Sequence, residues 1–476
     1  MEAMRDYLLQ HGQEHLLRVE TLLSEDEKEN LLSQINSIDI PKMVTKFRQS
    51  LETFEHASSA QIDVQLKPPT NVLRSVTRTS AKQLEEFRER GLLEIAEGRV
   101  GVALLAGGQG TRLGVNYPKG MYDVDLPSHK TLYQIQAERI LRLQTLAERK
   151  HGKQCSIPWY IMTSGHTKEP TLQFFRKHNF FGLKPDNVII FNQGQVPCFS
   201  FDGKIMLEAK GRIACSPDGN GGLYRALRQE GILQSMRDRR LSCVHVYCVD
   251  NILVKVADPV FIGYCLTEGA DCGAKVVPKA HPEEPVGVVC EVNGKYQVVE
   301  YSEITSKTAQ KRTENGELLF NAANICNHFF TVDFLERASG PLEDKLEYHV
   351  AKKKIPCAGE DGGTMKPSIP NGIKIEKFVF DVFQFSEKFR LWEVRREEDF
   401  SPVKNADGAA TDTPTTAREM YYSLCQSYVE KAGGRFGTGE SEAKSGVVEI
   451  SPLISYDGEG LESFVKGQCF SYPVLF

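Results

Sequence analysis

The chain has 476 residues, of which 41% are apolar and 25% are charged, a composition typical of a soluble globular protein with two or three domains. Its formal net charge of −5 argues against a nucleic-acid partner held by phosphate neutralisation. The charged start and the lack of an apolar run near about 18 residues predict neither a signal peptide nor a membrane span, so we expect a cytoplasmic protein.

Residues 1–97 predict an N-terminal helical lobe, because leucines recur there at helical spacing. Two sites resemble helix starts. Ser24 with Glu27 forms a candidate capping box, and Ser80 with Gln83 precedes a helix predicted over Ala81–Ala96. We interpret the leucine stripes as core packing, the alternative being a zipper for a partner helix.

Residues 98–390 predict the main domain, in which short apolar runs alternate with helical patterns. The predicted strands are Val100–Leu105, Trp159–Met162, Val188–Phe191 and Val244–Val249, and the predicted helices are Thr131–Lys150 and Gly222–Arg237. Apolar strands that alternate with helices indicate the α/β class, with a mostly parallel sheet covered on both faces. Residues 273–330 predict a β-rich insertion beside the sheet, with a hairpin turn at Asn293-Gly294.

Residues 391–476 predict a small C-terminal domain that contains β-strands. Its elements are a mobile loop over 404–416, a helix over Ala417–Lys431, a disordered polar loop over Gly433–Gly446 and short strands over Val447–Phe476.

A glycine-rich segment follows the first predicted strand and reads Leu-Leu-Ala-Gly-Gly-Gln-Gly-Thr-Arg-Leu-Gly over residues 104–114. Glycines allow backbone N–H groups to approach a phosphate, and Arg112 and Lys119 add two cations. The dinucleotide fingerprint fails because Leu113 stands where it needs glycine, and the P-loop fails because Lys119 lies between Pro118 and Gly120. The segment therefore predicts a polyphosphate cradle, the alternative being a structural glycine turn.

Asp250 comes directly after the strand predicted over Val244–Val249. A carboxylate at the end of a buried strand, near a phosphate cradle, is a natural magnesium ligand. The alternative is an Asx turn that closes the strand.

Several polar residues lie where other strands are predicted to end. Gln193 follows Val188–Phe191, the glycine-rich Pro217–Gly222 precedes a helix, and Glu300, Tyr301 and Asn324 flank later strands. Each of these signals is weak alone. Phe378 and Phe380 alternate in a segment interpreted as a strand, which would place both rings on one face, more often a core face than a pocket.

Missing motifs narrow the chemistry. The sequence contains neither Gly-x-Ser-x-Gly nor His-Glu-x-x-His, and its 12 cysteines include no Cys-x-x-Cys pair. We therefore expect reduced thiols, no zinc site and a reaction in which a phosphate is the electrophile.

Taken together, Leu104–Gly114, Tyr117–Tyr122, Pro217–Gly222, Cys248–Asn251, Asn371–Asp381 and Lys404–Asp407 resemble the eukaryotic UDP-N-acetylglucosamine pyrophosphorylases, also called UDP-N-acetylhexosamine pyrophosphorylases. The resemblance runs from about residue 10 to 465. It implies a Rossmann-like nucleotidyltransferase core between a helical lobe and a small C-terminal domain. The implied reaction transfers a uridylyl group from UTP to N-acetylglucosamine 1-phosphate with Mg²⁺, for which Mn²⁺ can substitute.

The resemblance also implies a nucleotide half of the site. Leu105, Ala106, Gly107 and Gly108 would wrap UTP, Arg112 and Lys119 would hold its phosphates, Gln193 and Gly219 would contact uracil, and Asp250 would organise the metal.

The implied sugar half combines polar and aromatic groups. Asn220, Glu300, Tyr301 and Asn324 would contact the sugar nucleotide, Phe378 and Phe380 would lie beside the N-acetyl group, and Lys404 would reach the phosphates from the mobile loop. Arg112, Lys119 and Lys404 are the implied catalytic cations. Whether Asp381 supplies a second metal carboxylate, and how the chain discriminates N-acetylgalactosamine 1-phosphate, stay open.

Two other functions compete with this one. A UDP-glucose or broad UDP-sugar pyrophosphorylase would typically start its first loop with Leu-Asn-Gly-Gly, whereas this chain has Leu-Ala-Gly-Gly. A non-catalytic sugar-nucleotide-binding protein would not need the phosphate cations. The expected partners are the two small-molecule substrates, with no nucleic acid or membrane, and the protein is expected to be a monomer or homodimer.

Overall fold

The computed structural model describes residues 2–18, 20–56, 63–359, 363–437 and 446–476. The described helices are α1 (Glu2–Gln10), α2 (Glu25–Ser37), α3 (Ile40–His56), α4 (Ala81–Ala96), α5 (Leu132–His151), α6 (Lys168–Lys177), α7 (Leu223–Gln229), α8 (Ile232–Asp238), α9 (Pro259–Thr267), α10 (Ser306–Ala309), α11 (Val332–Ser339), α12 (Arg396–Asp399), α13 (Pro414–Lys431) and α14 (Glu462–Val465).

The described strands are β1 (Leu66–Lys67), β2 (Leu73–Ser75), β3 (Val100–Leu105), β4 (Trp159–Thr163), β5 (Val188–Asn192), β6 (Gln195–Pro197), β7 (Leu207–Ala209), β8 (Arg212–Ile213), β9 (Cys215–Pro217), β10 (Cys243–Cys248), β11 (Cys272–Pro278), β12 (Val288–Val292), β13 (Lys295–Val299), β14 (Ala322–Thr331), β15 (His349–Lys353), β16 (Cys357–Ala358), β17 (Thr364–Met365), β18 (Gly372–Glu376), β19 (Phe389–Glu393), β20 (Arg435–Phe436), β21 (Val448–Glu449), β22 (Cys469–Phe470) and β23 (Val474–Leu475).

The central sheet has the strand order β2-β19-β11-β14-β10-β3-β4-β5. Neighbours in this row are parallel, except that β14 runs antiparallel to both β10 and β11. This confirms the predicted α/β class and mostly parallel sheet. The carboxyl ends of β3, β4, β5 and β10 lie along one edge, which is where open α/β sheets bind ligands.

Helices cover the sheet on both faces, which explains why β3 and β4 are buried at every position. One core contains side chains from α4, α5 and α9, and the other contains side chains from α7, α8 and α11. The prediction for β3 is correct to the residue, and all six of its residues are buried. The other three predicted strands agree within one residue at each end.

Two predicted elements need correction. The helix predicted over Gly222–Arg237 is two helices, α7 and α8, because Gly231 adopts a left-handed φ of 70° between them. The insertion predicted over 273–330 does not lie wholly beside the sheet, because β11 and β14 are central strands. The predicted hairpin turn is confirmed: Asn293 and Gly294 join β12 to β13, both with positive φ.

The N-terminal helices cover one end of the molecule. The predicted capping box is confirmed, since Ser24 Oγ accepts from Glu27 N while Glu27 Oε2 accepts from Ser24 N. Helix α4 packs instead against α9 of the main core, where glycines at Gly91 and Gly263 bring the helices together; a Cβ at either position would overlap the backbone of the other helix. The predicted lobe boundary therefore divides residues that share a core.

The C-terminal segment also contributes to the sheet, because β19 spans the predicted boundary at residue 390 and pairs with β11 and β2. The helix predicted from Ala417 begins earlier, at Pro414, behind the N-cap Thr413. Short strands follow over 448–475, as predicted. Most of the loop predicted over 433–446 lies outside the described residues, and no helix within the described ranges has the length and apolarity that crossing a membrane requires.

Candidate active site

The glycine-rich segment forms a compact loop at the carboxyl end of β3. Ala106 N donates to Met162 O at 2.8 Å, which keeps the loop base in the sheet. Beyond the turn, Gly110 N donates to Tyr117 O at 3.1 Å, and Lys119 N donates to Gly108 O at 3.3 Å. The loop therefore folds back on itself and holds Lys119 beside the glycines. Leu105 and Ala106 are buried, whereas Gly108 is exposed and a Cβ there would meet nothing within 4 Å.

Gly107 lies directly against Gln193, so the structure brings together two residues that the resemblance assigns to the nucleotide half. A Cβ at Gly107 would approach Gln193 Oε1 to 2.5 Å, so a larger residue at this position would displace the amide group. Ser164 Oγ donates to Gly107 O at 2.9 Å and fixes the peptide from the neighbouring loop. The amide group that could pair with a base edge is thus held next to the phosphate cradle.

Three cations surround the carboxyl end of β10. Lys119 Nζ lies 3.5 Å from Asp250 Oδ2, and both side chains are largely covered. The side chain of Arg112 is exposed and forms no hydrogen bond or ion pair with any residue that the structure describes. Lys404 Nζ lies 3.7 Å from Asp412 Oδ2 on its own loop. The two ion pairs are long, and the Arg112 side chain has no described partner, so all three cations can bind an anionic ligand.

The loop that carries Lys404 is tied to both parts of the cradle. Val403 N donates to Asp250 O at 2.9 Å, and Ala406 N donates to Arg112 O at 3.1 Å. These two bonds bridge the end of β10 and the glycine-rich loop. The mobility predicted for residues 404–416 stays a prediction.

Asp250 could be the single protein ligand of a metal ion that is also bound by substrate phosphates. No group of three His, Cys, Asp or Glu side chains among the described residues could hold a metal unaided. Mg²⁺ is usually held by one or two protein carboxylates and substrate phosphates, so a single aspartate beside a phosphate cradle is sufficient. Asp381 is committed elsewhere, because its Oδ2 bonds His349 Nε2 and Phe378 N, both at 3.0 Å.

The Pro217–Gly222 segment is clamped to the strand end that leads into Phe378. Gly219 has a φ of 86°, and a Cβ there would overlap Lys377 O. Gly221 N donates to Lys377 O at 2.9 Å, and Asn220 Oδ1 accepts from Val379 N at 2.9 Å. The predicted uracil and acetyl segments are therefore one hydrogen-bonded unit.

Asp218 lies behind this unit and is 1% exposed. Burial raises its pKa to about 6, although the positive charges of Arg225 and Lys377 act in the opposite direction. Its Oδ1 has no hydrogen-bond partner among the described residues. Glu343 pairs with Arg225 at 3.0 Å and with Lys377 at 2.6 Å, so the two neighbouring cations already have a counter-ion.

The predicted acetyl pocket is built on a turn and not on a strand. Strand β18 ends at Glu376, and a 3₁₀ helix spans Val379–Phe385, so the strand alternation predicted for Phe378 and Phe380 is wrong. Asp381 causes the change by accepting Phe378 N, as a helix-capping carboxylate does. The two rings still lie together, with centroids 5.1 Å apart.

His349 completes this pocket. Its ring stacks on Phe378 at 4.2 Å, and Nε2 lies 3.0 Å from Asp381 Oδ2. Burial opposes a charged imidazole, but the hydrogen bond and charge of Asp381 outweigh it and raise the pKa of His349 overall. The aromatic pocket thus has a polar, proton-binding edge.

The remaining predicted sugar residues differ in their surroundings. Burial raises the pKa of Glu300, and the negative charge of Glu303 acts in the same direction, while the charges of His349 and Lys404 oppose it. Asn324 is half-buried near the start of β14. Tyr301 is 54% exposed, and its hydroxyl bonds no residue within the described ranges. The structure therefore shows no hydrogen bond from the Tyr301 side chain to the other described site residues.

Sequence reasoning missed His349 and Asp218. His349 is an isolated histidine that comes to Asp381 from a separate strand, and no spacing signal could have found it. Asp218 lies within a segment that was singled out, and its position between Pro217 and Gly219 was the available signal.

Comparisons with known proteins agree with this geometry. Residues 44–433 match the family described as UTP–glucose-1-phosphate uridylyltransferase. The chain is 53% identical to UDP-N-acetylhexosamine pyrophosphorylase-like protein 1 of Xenopus tropicalis, over 100% of this chain and 96% of that protein. It is 40% identical to UDP-N-acetylglucosamine pyrophosphorylase of Saccharomyces cerevisiae, over 99% of this chain and 98% of that protein.

Among solved structures, the chain is similar to the uridine diphosphate N-acetylglucosamine pyrophosphorylase of Trypanosoma brucei, determined in complex with an inhibitor. The two share 34% identity and a TM-score of 0.83, covering 97% of this chain and 94% of the trypanosome chain.

Proposed function

Because this chain belongs to the UTP–glucose-1-phosphate uridylyltransferase family, we propose that it transfers a uridylyl group from UTP to N-acetylglucosamine 1-phosphate and releases pyrophosphate. The observation that carries the proposal is the convergence of the Gly107–Gln193 contact, the Lys119–Asp250 pair and the Lys404 loop at one sheet edge. An amide for the base, backbone N–H groups for phosphates and cations for the leaving group are the components that this reaction needs.

The chemistry requires no protein nucleophile. A phosphate oxygen of the sugar 1-phosphate attacks the α-phosphorus of UTP, the bond to the β-phosphate oxygen breaks, and pyrophosphate leaves. Catalysis is then positioning plus neutralisation of negative charge. Arg112 and Lys119 would hold the nucleotide phosphates, and Lys404 would approach from the other side on a loop that is bonded to the main chain of both Arg112 and Asp250.

A divalent cation would be held by Asp250, with phosphate oxygens completing its coordination. Bound Mg²⁺, or Mn²⁺ in its place, supplies additional positive charge near the phosphates. Lys119 now pairs with Asp250. When the aspartate binds a cation, the lysine ammonium becomes available to a phosphate.

Selectivity for an N-acetylated sugar would come from the pocket around Phe378 and Phe380. Its apolar rings suit a methyl group, while the His349–Asp381 pair and Asn324 offer polar groups. Glucose 1-phosphate has no acetamide to fill this slot, so we expect it to be a poor acceptor. N-acetylgalactosamine 1-phosphate keeps the acetamide and is the expected second acceptor.

The test is pyrophosphate release by the purified protein with UTP, Mg²⁺ and four acceptors: the 1-phosphates of N-acetylglucosamine, N-acetylgalactosamine, glucose and galactose. We expect the highest kcat/KM with N-acetylglucosamine 1-phosphate. Preference for glucose 1-phosphate would establish a UDP-glucose pyrophosphorylase instead. Calorimetric binding of UDP-N-acetylglucosamine without turnover of any acceptor would indicate a binding protein.

The kinetic order tests the direct-attack chemistry. Since the acceptor itself is the nucleophile, labelled pyrophosphate should not exchange into UTP when sugar phosphate is absent. Exchange under that condition would require a uridylyl-enzyme and would contradict the mechanism.

A further inference from the structure

Two cysteines lie side by side between the residues proposed to hold the metal and the sugar. Cys248 is the last residue of β10, two positions before Asp250, and Cys326 lies on β14, two positions after Asn324. Their sulfur atoms are 3.1 Å apart, with the Cys248 thiol donating to Cys326 Sγ. Both residues are half-buried at the edge of a hydrophobic core.

The backbone at Cys326 is shaped to produce this contact. Strand β14 pairs with β11 at His328 and again at Asn324, opposite Ala274 and Val276, so β14 carries extra residues between the two pairs. Cys326 occupies this bulge with a left-handed φ of 51°, and its N–H donates to Asn324 Oδ1 at 3.1 Å. Bulges beside active sites re-aim side chains, and strained non-glycine backbone persists where the surrounding structure imposes it.

We propose that Cys248 and Cys326 form a reactive dithiol, and that low-molecular-weight disulfides such as glutathione disulfide convert it to an intramolecular disulfide that slows turnover. The sulfur of Cys326 attacks the reagent, forms a mixed disulfide and expels one thiol. The sulfur of Cys248 then attacks Cys326 Sγ, 3.1 Å away, and displaces the second thiol. The two cysteines lose two electrons and two protons, and the reagent gains them as two thiols.

Closure changes the spacing of two site elements. A disulfide bond is about 2.05 Å long, so the sulfurs must approach by about 1 Å from their present 3.1 Å. That movement is transmitted to Asp250 at one strand end and to Asn324 beside the bulge. Misplacement of reacting groups by about 1 Å can lower rates by as much as about 100-fold. The effect on turnover rests on the proposed function, whereas disulfide formation does not.

The experiment exposes the reduced protein to glutathione disulfide and measures both peptide cross-links by mass spectrometry and pyrophosphate release. We expect a Cys248–Cys326 cross-link, a fall in kcat/KM of at least about tenfold, and recovery with dithiothreitol. Cys326→Ser should keep its own reduced activity under the same oxidation, whereas Cys248→Ser should stop at a glutathione mixed disulfide on Cys326 without forming the cross-link. Cys469→Ser, at an exposed cysteine, is the matched control and should be inactivated like the native protein.

Three results would overturn the proposal: no cross-link while Cys469 becomes glutathionylated, a cross-link with unchanged kcat/KM, or inactivation that persists in both serine variants. If the reduced protein releases no pyrophosphate with any acceptor, the proposed function fails. Formation of the cross-link still tests whether the two cysteines form a reactive dithiol. The affinity for UTP, measured by calorimetry, then replaces turnover as the functional measurement. Bound UTP with Mg²⁺ should slow the cross-link, because the dithiol adjoins the same cleft.

Discussion

Replacing Asp218 by asparagine should stabilise the protein, and the gain should grow with pH. The carboxyl group is 1% exposed, and burial raises its pKa to about 6 from an ordinary value near 3.9. Asp218→Asn keeps the shape of the side chain and removes its ability to ionise. The folded protein then no longer has to accommodate a buried negative charge.

The magnitude follows from linkage. Below about pH 4 the folded and unfolded chains both hold the proton, so ionisation costs the fold nothing. Between about pH 4 and pH 6 only the unfolded chain releases it, and the free energy of unfolding falls by up to about 1.4 kcal/mol per pH unit. Above the folded-state value near 6 the loss is complete, at about 3 kcal/mol. About half of that difference is present at pH 5 and all of it at pH 8.

Urea unfolding of the native protein and Asp218→Asn, followed by tryptophan fluorescence at pH 5 and pH 8, measures this difference. Both tryptophans, Trp159 and Trp392, are buried in the central sheet, so the signal reports the core. Asp186→Asn, at an exposed aspartate, is the control and should show no pH-dependent gain. A stability difference between Asp218→Asn and native protein that stays constant or shrinks from pH 5 to pH 8 would refute the reasoning.

Four further variants test the site. Arg112→Ala should lower kcat/KM by at least about 100-fold, with an unchanged urea midpoint, because the side chain has no partner among the described residues. Asp250→Asn should lose most turnover at saturating Mg²⁺; near-native activity would remove it from the metal site. Gly219→Ala should raise the KM for UTP. It should also lower stability more than Gly98→Ala, because Gly98 has a similar φ of 70° but no atom near its Cβ position. Gly98→Ala should lose about 1–2 kcal/mol of stability. Phe380→Ala should raise kcat/KM for N-butanoyl relative to N-acetyl acceptors while costing about 3–5 kcal/mol of stability; an unchanged ratio in folded protein would make the ring ordinary core.

The strands beside the glycine-rich loop could be predicted closely, because burial on both faces of the sheet makes each strand a continuous apolar run in the sequence. β3 is apolar along its whole length, and glycines follow from Gly107 onward, so its bounds were predicted correctly. Parallel order brings the carboxyl ends of β3, β4 and β5 to one edge, where Gly107 and Gln193 meet. Local composition was therefore enough to place these strand ends, while the roles of the residues that follow them stay predictions.

The sugar half could not be predicted in the same way, because its geometry depends on contacts between distant segments. Phe378 and Phe380 alternate like strand residues, yet the Asp381 carboxylate captures Phe378 N and starts a 3₁₀ turn. His349 reaches the same carboxylate from another strand. Gly231 likewise ends a helix in the middle of a helical pattern. A glycine can also continue a helix, so only the structure shows that Gly231 adopts a left-handed φ.

The hydrogen bonds around Lys377 connect the two halves. Its N–H donates to Asp218 O at 2.8 Å and its carbonyl accepts from Gly221 N, while Asn220 Oδ1 holds Val379 N on the next turn. A shift of the segment proposed to bind uracil therefore displaces the backbone that carries the proposed acetyl pocket, because neither can move without breaking these bonds. Base recognition and acyl selection should consequently be coupled: variants of either segment should change the KM for both substrates, whereas two independent pockets would change one KM at a time.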